Sequence, residues 1–154
     1  LATKVNGLQA ATGFSGADEL YGFQGSLVNY TKNRSLGAQG SVANISGEFD
    51  GFQAGAANTS IGDFAGFQFG VANTITKAFK GFQCGGFNIV TGLYRGFQCG
   101  IFNYSSEGGA QLGAINIIAD AYIPVLPIAN YSTFKEDPRA KKEEVKTEKK
   151  ETNK

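Results

Sequence analysis

Histidine, methionine and tryptophan are absent from the 154 residues, and cysteine and proline are scarce, at 2 and 3. Without histidine, no Ser-His-Asp or Cys-His nucleophile system can be assembled, and a His-type zinc site and an imidazole proton shuttle are excluded as well. No run approaches the roughly 18 apolar residues that a spanning helix needs. Contact with a membrane would therefore come through strands or an anchor. Charge is also scarce, except at one end: residues 135–154 carry 8 of the 14 basic and 6 of the 13 acidic side chains, leaving 6 and 7 for the first 134. So balanced a body offers no basic footprint, and nucleic acid is not an expected partner.

The segment 135–154 is almost free of apolar residues and cannot bury enough surface to fold. The expected organisation is a domain over 1–134 followed by a disordered charged extension. The chain opens on Leu1 and contains no Met; a processed product from which a secretory leader has been removed is expected.

Glycine and phenylalanine are abundant, at 22 and 13, and most of the glycine belongs to a repeat. The unit reads G-F-Q-x-G-x-x-N. It occurs as Gly22-Phe23-Gln24 to Asn29, Gly51-Phe52-Gln53 to Asn58, Gly66-Phe67-Gln68 to Asn73, Gly81-Phe82-Gln83 to Asn88 and Gly96-Phe97-Gln98 to Asn103. Degenerate copies run from Gly37-Ala38-Gln39 to Asn44 and from Gly109-Ala110-Gln111 to Asn116, and Gly7-Leu8-Gln9 opens a frayed first copy. Successive leading glycines are 15, 15, 14, 15, 15, 15 and 13 residues apart. A last echo, Ile128-Ala129-Asn130, keeps the Asn spacing but has Pro124 and Pro127 in its framework, as an end cap would.

A period held near 15 suits an all-β solenoid of about eight coils, in which equivalent residues stack about 4.8 Å apart. Stacking would turn each column into a ladder. Gln24, Gln39, Gln53, Gln68, Gln83, Gln98 and Gln111 would form one of carboxamides, and Asn29, Asn44, Asn58, Asn73, Asn88, Asn103 and Asn116 a second at the turn. Each carboxamide donates and accepts, so a column can hydrogen-bond along its length and tie down turn backbone. Side chains alternate along a strand, which puts Phe23, Phe52, Phe67, Phe82 and Phe97 on an expected core face as an aromatic spine, joined by Phe49, Phe64, Phe79 and Tyr94. The Gln and Gly positions then form a smooth opposite face.

The alternative is an antiparallel β-barrel in an outer membrane, whose strands of roughly 9 to 11 residues would also fit the unit. Asp50, Lys80 and Arg95 stand just before the Gly-Phe step, where a lipid-facing strand should not carry charge. Antiparallel neighbours would also break the ladders. The solenoid is the better reading.

These units resemble those of a family of bacterial surface-repeat proteins from Gram-negative envelopes, with tandem G-[apolar]-Q-[apolar]-G-[apolar]-x-N motifs. The resemblance covers roughly residues 7 to 134, and the stretch from Gly113-Ala114-Ile115-Asn116 through Pro124 and Pro127 to Phe134 is similar to the way such regions close. It implies a location at the surface or outer membrane more than an activity. This chain differs in using Phe after the first Gly and in its charged extension.

Catalytic and ligand chemistry finds little support. Cys84 and Cys99 occupy one position of consecutive units, close enough for a disulfide, but parallel side-chain vectors favour two buried free thiols. Glu48, Asp50, Asp63 and Glu107 fall in connectors, with turn duty as the expected role. No catalytic, cofactor-binding or metal-binding residues are assigned, and no cofactor is expected. The expected function is a non-catalytic surface protein with a structural or adhesive role, its partner a protein or glycan at the cell surface, met through the Gln/Gly face or the connector row. Membrane association, self-association, secretion and an intracellular scaffold role are compatible with the same residues.

Overall fold

The structure, a computed structural model, describes residues 2–133. The expected extension 135–154 lies outside the described residues. Seven strands form one sheet in chain order: β1 (Ala2–Ala10), β2 (Phe14–Gly25), β3 (Val28–Ser60), β4 (Phe64–Ile75), β5 (Phe79–Glu107), β6 (Gly109–Ile118) and β7 (Val125–Ser132). The pairings from β1 to β6 are parallel, and each places a residue beside its equivalent one unit later: Gly7 on Gly22, Gln24 on Gln39, Asn58 on Asn73, Phe67 on Phe82, Gln98 on Gln111. At 33 and 29 residues, β3 and β5 are long enough to hold whole coils and their corners. This is the β-solenoid of about eight coils. The antiparallel barrel is excluded, because its neighbours would have to run in opposite directions and its last strand would have to return to its first.

The first glycine of each unit makes one corner. Gly22, Gly37, Gly51, Gly66 and Gly81 have φ between +127° and +144°, a region that side chains disfavour. The coils also approach closely here: a Cβ on Gly66 would overlap the carbonyl oxygen of Gly51, and one on Gly81 that of Gly66. Numbering the unit from this glycine, positions 3, 8, 10 and 14 point inward.

Position 14 supplies the aromatic part of the interior, and position 10 adds Ile75, Val90 and Ile118. Phe49, Phe64, Phe79 and Tyr94 are buried in a column, with ring centroids 5.0, 5.6 and 5.2 Å apart and the first and last pairs stacked nearly parallel, at 8° and 3°. Aromatic pairs of this kind contribute about 0.5–1.5 kcal/mol each beyond burial of their area. Gly109 ends the column, because a Cβ there would enter the Tyr94 ring.

Here the expected division of faces is reversed. Gln24, Gln53 and Gln68 are fully buried, whereas Phe23, Phe52 and Phe67 are 45%, 45% and 54% exposed. The position-14 rings already fill the interior beside the corner, and the glycine between them and the next strand turns the chain so that Gln, not Phe, comes next inside. The connector aromatics thus form an interior stack of their own and do not join the Phe spine.

The C-terminal end also departs from the repeat. β7 runs antiparallel to β6, so Asn130 lies opposite Gln111 and does not stack on Asn116 as the next rung. Its Nδ2 instead donates to the backbone oxygens of Asn116, Ile123 and Pro124 at 3.4, 3.5 and 3.1 Å. Pro124 and Pro127 have no N–H to give a further parallel coil.

Tyr94 carries a testable consequence. Its hydroxyl is buried without a hydrogen-bond partner, and burial pushes the phenol well above its ordinary range. A folded-state pKa above the unfolded value of about 10 favours the neutral form, so this contribution is present below pH 10 and is lost as pH rises beyond it. Tyr94→Phe is expected to raise stability by about 1 kcal/mol at neutral pH, since it removes an unpaired buried hydroxyl, and to flatten the alkaline fall. Thermal melts of both proteins between neutral pH and about pH 11 check this; parallel alkaline limbs would refute it.

Candidate functional site

The two amide ladders form in full, and they run in opposite senses. Each Gln Nε2 donates to the Oε1 of the Gln one coil earlier: Gln24 to Gln9 at 2.8 Å, Gln39 to Gln24 at 2.7 Å, Gln53 to Gln39 at 2.9 Å, Gln68 to Gln53 at 2.7 Å, and so on through Gln83, Gln98 and Gln111 at 2.7–2.8 Å. Each Asn Nδ2 donates to the Oδ1 of the Asn one coil later, from Asn29 through Asn44, Asn58, Asn73, Asn88 and Asn103 to Asn116, at 2.8–2.9 Å. The side-chain dipoles of the two columns therefore oppose one another along the axis, which limits the net field inside the coil.

The Asn ladder also fixes backbone. Asn44, Asn58, Asn73, Asn88 and Asn103 each donate from Nδ2 to the carbonyl of the position-4 residue one coil later, Ala54, Phe69, Cys84, Cys99 and Leu112, at 2.7–3.0 Å. The position-5 glycines make room for these amides: a Cβ on Gly70 would meet the Gly55 carbonyl and the Asn58 side chain. Both ladders are structural. With their carboxamides buried, neither Gln nor Asn can form the expected contact face.

The outer surface takes that place. Positions 2 and 4 form one face of the coil, and positions 7 and 9 the next, with position 6 at the corner between them. The Phe rings expected in the core lie on the first face and run through a position-4 ring, Phe52 to Phe69 to Phe82 to Phe97, at centroid distances of 5.6, 5.7 and 5.6 Å. Phe87 and Phe102, 6.3 Å apart, lie on the second. At the corner Leu27, Val42, Val71 and Ile101 are 56%, 57%, 63% and 65% exposed. Comparison with protein-family models, curated proteins and solved structures finds no match. The surface itself must therefore carry the functional reading.

Charge is confined to the remaining side. Every Lys, Arg, Asp and Glu among residues 2–133 falls at unit positions 11 to 15, and positions 1 to 10 have none from Gly7 to Ile118. Part of this side forms a groove of about 530 Å³ over the buried aromatic column, lined by Arg34, Glu48, Asp50, Asp63, Lys80 and Arg95. The sequence reading missed this convergence. Its signal is the recurrence of charge at positions 13 and 15 of consecutive units. Asp63 does perform the expected turn duty, accepting the Ala78 N–H at 3.1 Å. Among the described residues no three His, Cys, Asp or Glu side chains could share a metal ion.

Cys84 and Cys99 are free and half-buried, at position 4 of the Phe face. They were expected as buried core thiols. They point outward because position 4 lies between the inward positions 3 and 8 on the outer side of the strand. Burial, and then the neighbouring Cys99 thiol, push Cys84 up, which favours its protonated form at neutral pH.

Proposed function

We propose that this chain is a non-catalytic bacterial surface-repeat protein with a structural or adhesive role, and that it meets a protein or glycan at the cell surface through its outer faces. The observation that supports this reading most directly is the separation of the surface into a continuous uncharged apolar flank and a charged flank, built on an interior fixed by amide ladders. Such a body presents the same side chains again at every coil. It suits extended contact better than enclosure of one small substrate. The tandem motif's resemblance to envelope repeat proteins is what supports a place at the cell surface.

Labelling of intact cells with an antibody to the repeat region tests the proposal. Labelling without permeabilisation, with reduced adhesion or envelope integrity on deletion, is expected. Labelling only after permeabilisation, together with recovery in the cytosol, would overturn it.

A further inference from the structure

We propose that Cys84 and Cys99 are a modification site: outside a reducing compartment they close an intrachain disulfide that staples two neighbouring coils. The compartment rests on the surface reading above, and the bond rests on geometry. Both cysteines stand at position 4 of consecutive units, and the chain has no others. Their backbones are held in step. Just before them Gln98 donates to Gln83 at 2.8 Å, Phe82 and Phe97 stack at 5.6 Å, and Asn73 and Asn88 hold the Cys84 and Cys99 carbonyls at 3.0 and 2.9 Å. Coil spacing then sets the two Cα atoms about 4.8 Å apart, inside the range of about 4.4–6.8 Å that a disulfide spans.

Orientation decides whether thiols placed in this way bond. Packed in a core, two parallel side chains have no room to turn toward each other. On the outer face, where both are half-buried, each is free to rotate about its Cα–Cβ bond, and the two thiols are already in hydrogen-bond contact. Phe69 and Leu112 lie beside them at the two ends of the pair, so neither cysteine has another sulfur as neighbour. The bond is neutral, as is the flank that carries it. Metal ligation suits the pair less well: among the described residues no third ligand completes a zinc site, and a copper(I) ion between two thiolates would leave a negative charge on a flank without a basic group.

Closure takes two exchanges with a disulfide oxidant. One cysteine thiolate attacks an oxidant sulfur, forming a mixed disulfide and expelling the first oxidant thiolate; the other cysteine then attacks the mixed disulfide and expels the second. The two protons and two electrons that the cysteines lose end on the oxidant, which leaves as two thiols. Stacked side chains start with Cβ atoms about 4.8 Å apart, and an ordinary disulfide draws them to about 3.8 Å. The bond is therefore strained as well as exposed, which makes it readily reducible.

Incubation of the purified full chain with oxidised glutathione, followed by acid quenching, alkylation and mass spectrometry, provides the test. Loss of both free thiols within one chain is expected, with a thermal midpoint raised by about 5 °C and full reversal by dithiothreitol without denaturant. Cys84→Ser, a small change at a half-buried position, should keep the circular dichroism of the wild type and show no rise in midpoint under the same oxidant. Two thiols that persist in excess oxidant, a glutathione retained on each cysteine, or a bond between chains would overturn the proposal. So would a closed bond that leaves the midpoint unchanged, since it would staple nothing. Surface labelling of cells whose protein resists the oxidant would refute the disulfide and leave the surface role standing; closure in the purified chain, with free thiols and cytosolic recovery in cells, would do the reverse.

Discussion

Gly66→Val is expected to prevent stable folding of the repeat region. Gly66 has φ +127°, and a Cβ at this position would overlap the carbonyl oxygen of Gly51 in the neighbouring coil. Placing a β-branched residue at such a φ costs on the order of 1–3 kcal/mol by itself. The steric part adds to this, because the obstructing atom is backbone. It can move away only if β3 and β4 separate, which would stretch the parallel pairing and the Gln53–Gln68 and Asn58–Asn73 rungs beside it. Together these effects should cost about 4–6 kcal/mol, comparable to the whole stability of many domains. Gly13→Ala is the control, since a Cβ there meets nothing within 4 Å and its φ is not left-handed. Urea unfolding should show Gly13→Ala within about 0.5 kcal/mol of the parent and Gly66→Val unfolded or nearly so. Equal midpoints for the two variants would mean that the corners do not need their glycines.

The same corners explain why the sequence was readable in one respect and misleading in another. Period, coil number and the ladder partners of Gln24 to Gln111 and of Asn29 to Asn116 followed from spacing, since parallel stacking of near-equal repeats sets equivalent residues side by side. Which side chains point inward did not. Gln68 and Phe67 are neighbours, either could belong to a core, and the choice depends on how the left-handed glycine rotates the strand relative to Phe64 and Phe79. Hydrophobicity favoured Phe. The hydrogen-bonding capacity of a stacked carboxamide, which leaves little polar surface unsatisfied, was the stronger guide. The charged groove was less legible, because Arg34, Asp50 and Lys80 come from three coils, and the charge that recurs at positions 13 and 15 changes residue type and sign from unit to unit. The capping strand was half legible: Pro124 and Pro127 marked the end of the repeat, but the preserved Asn spacing concealed the reversal that sets Asn130 against Gln111.

Asn73→Ala tests the ladder where it is most continuous. Asn73 accepts from Asn58 Nδ2 at 2.8 Å and donates to Asn88 Oδ1 at 2.8 Å and to the Cys84 carbonyl at 3.0 Å. Truncation removes all three bonds in a fully buried site. Asn58 Nδ2 retains the Phe69 carbonyl, and so is only partly deprived. Asn88 Oδ1 and the Cys84 carbonyl lose the bonds that Asn73 gave them. Unsatisfied buried groups cost about 1–3 kcal/mol each, so a loss of about 3 kcal/mol is expected. Asn73→Leu should cost at least as much despite its greater apolarity, because hydrophobic gain cannot replace rungs above and below. Val71→Ala, an exposed apolar truncation one coil corner away, should change stability by less than about 0.5 kcal/mol. Chemical denaturation of the three variants gives the comparison directly. If Asn73→Leu matched the parent, apolar filling would be as good as the amide, and the repetition of Asn from coil to coil would need a cause other than stability.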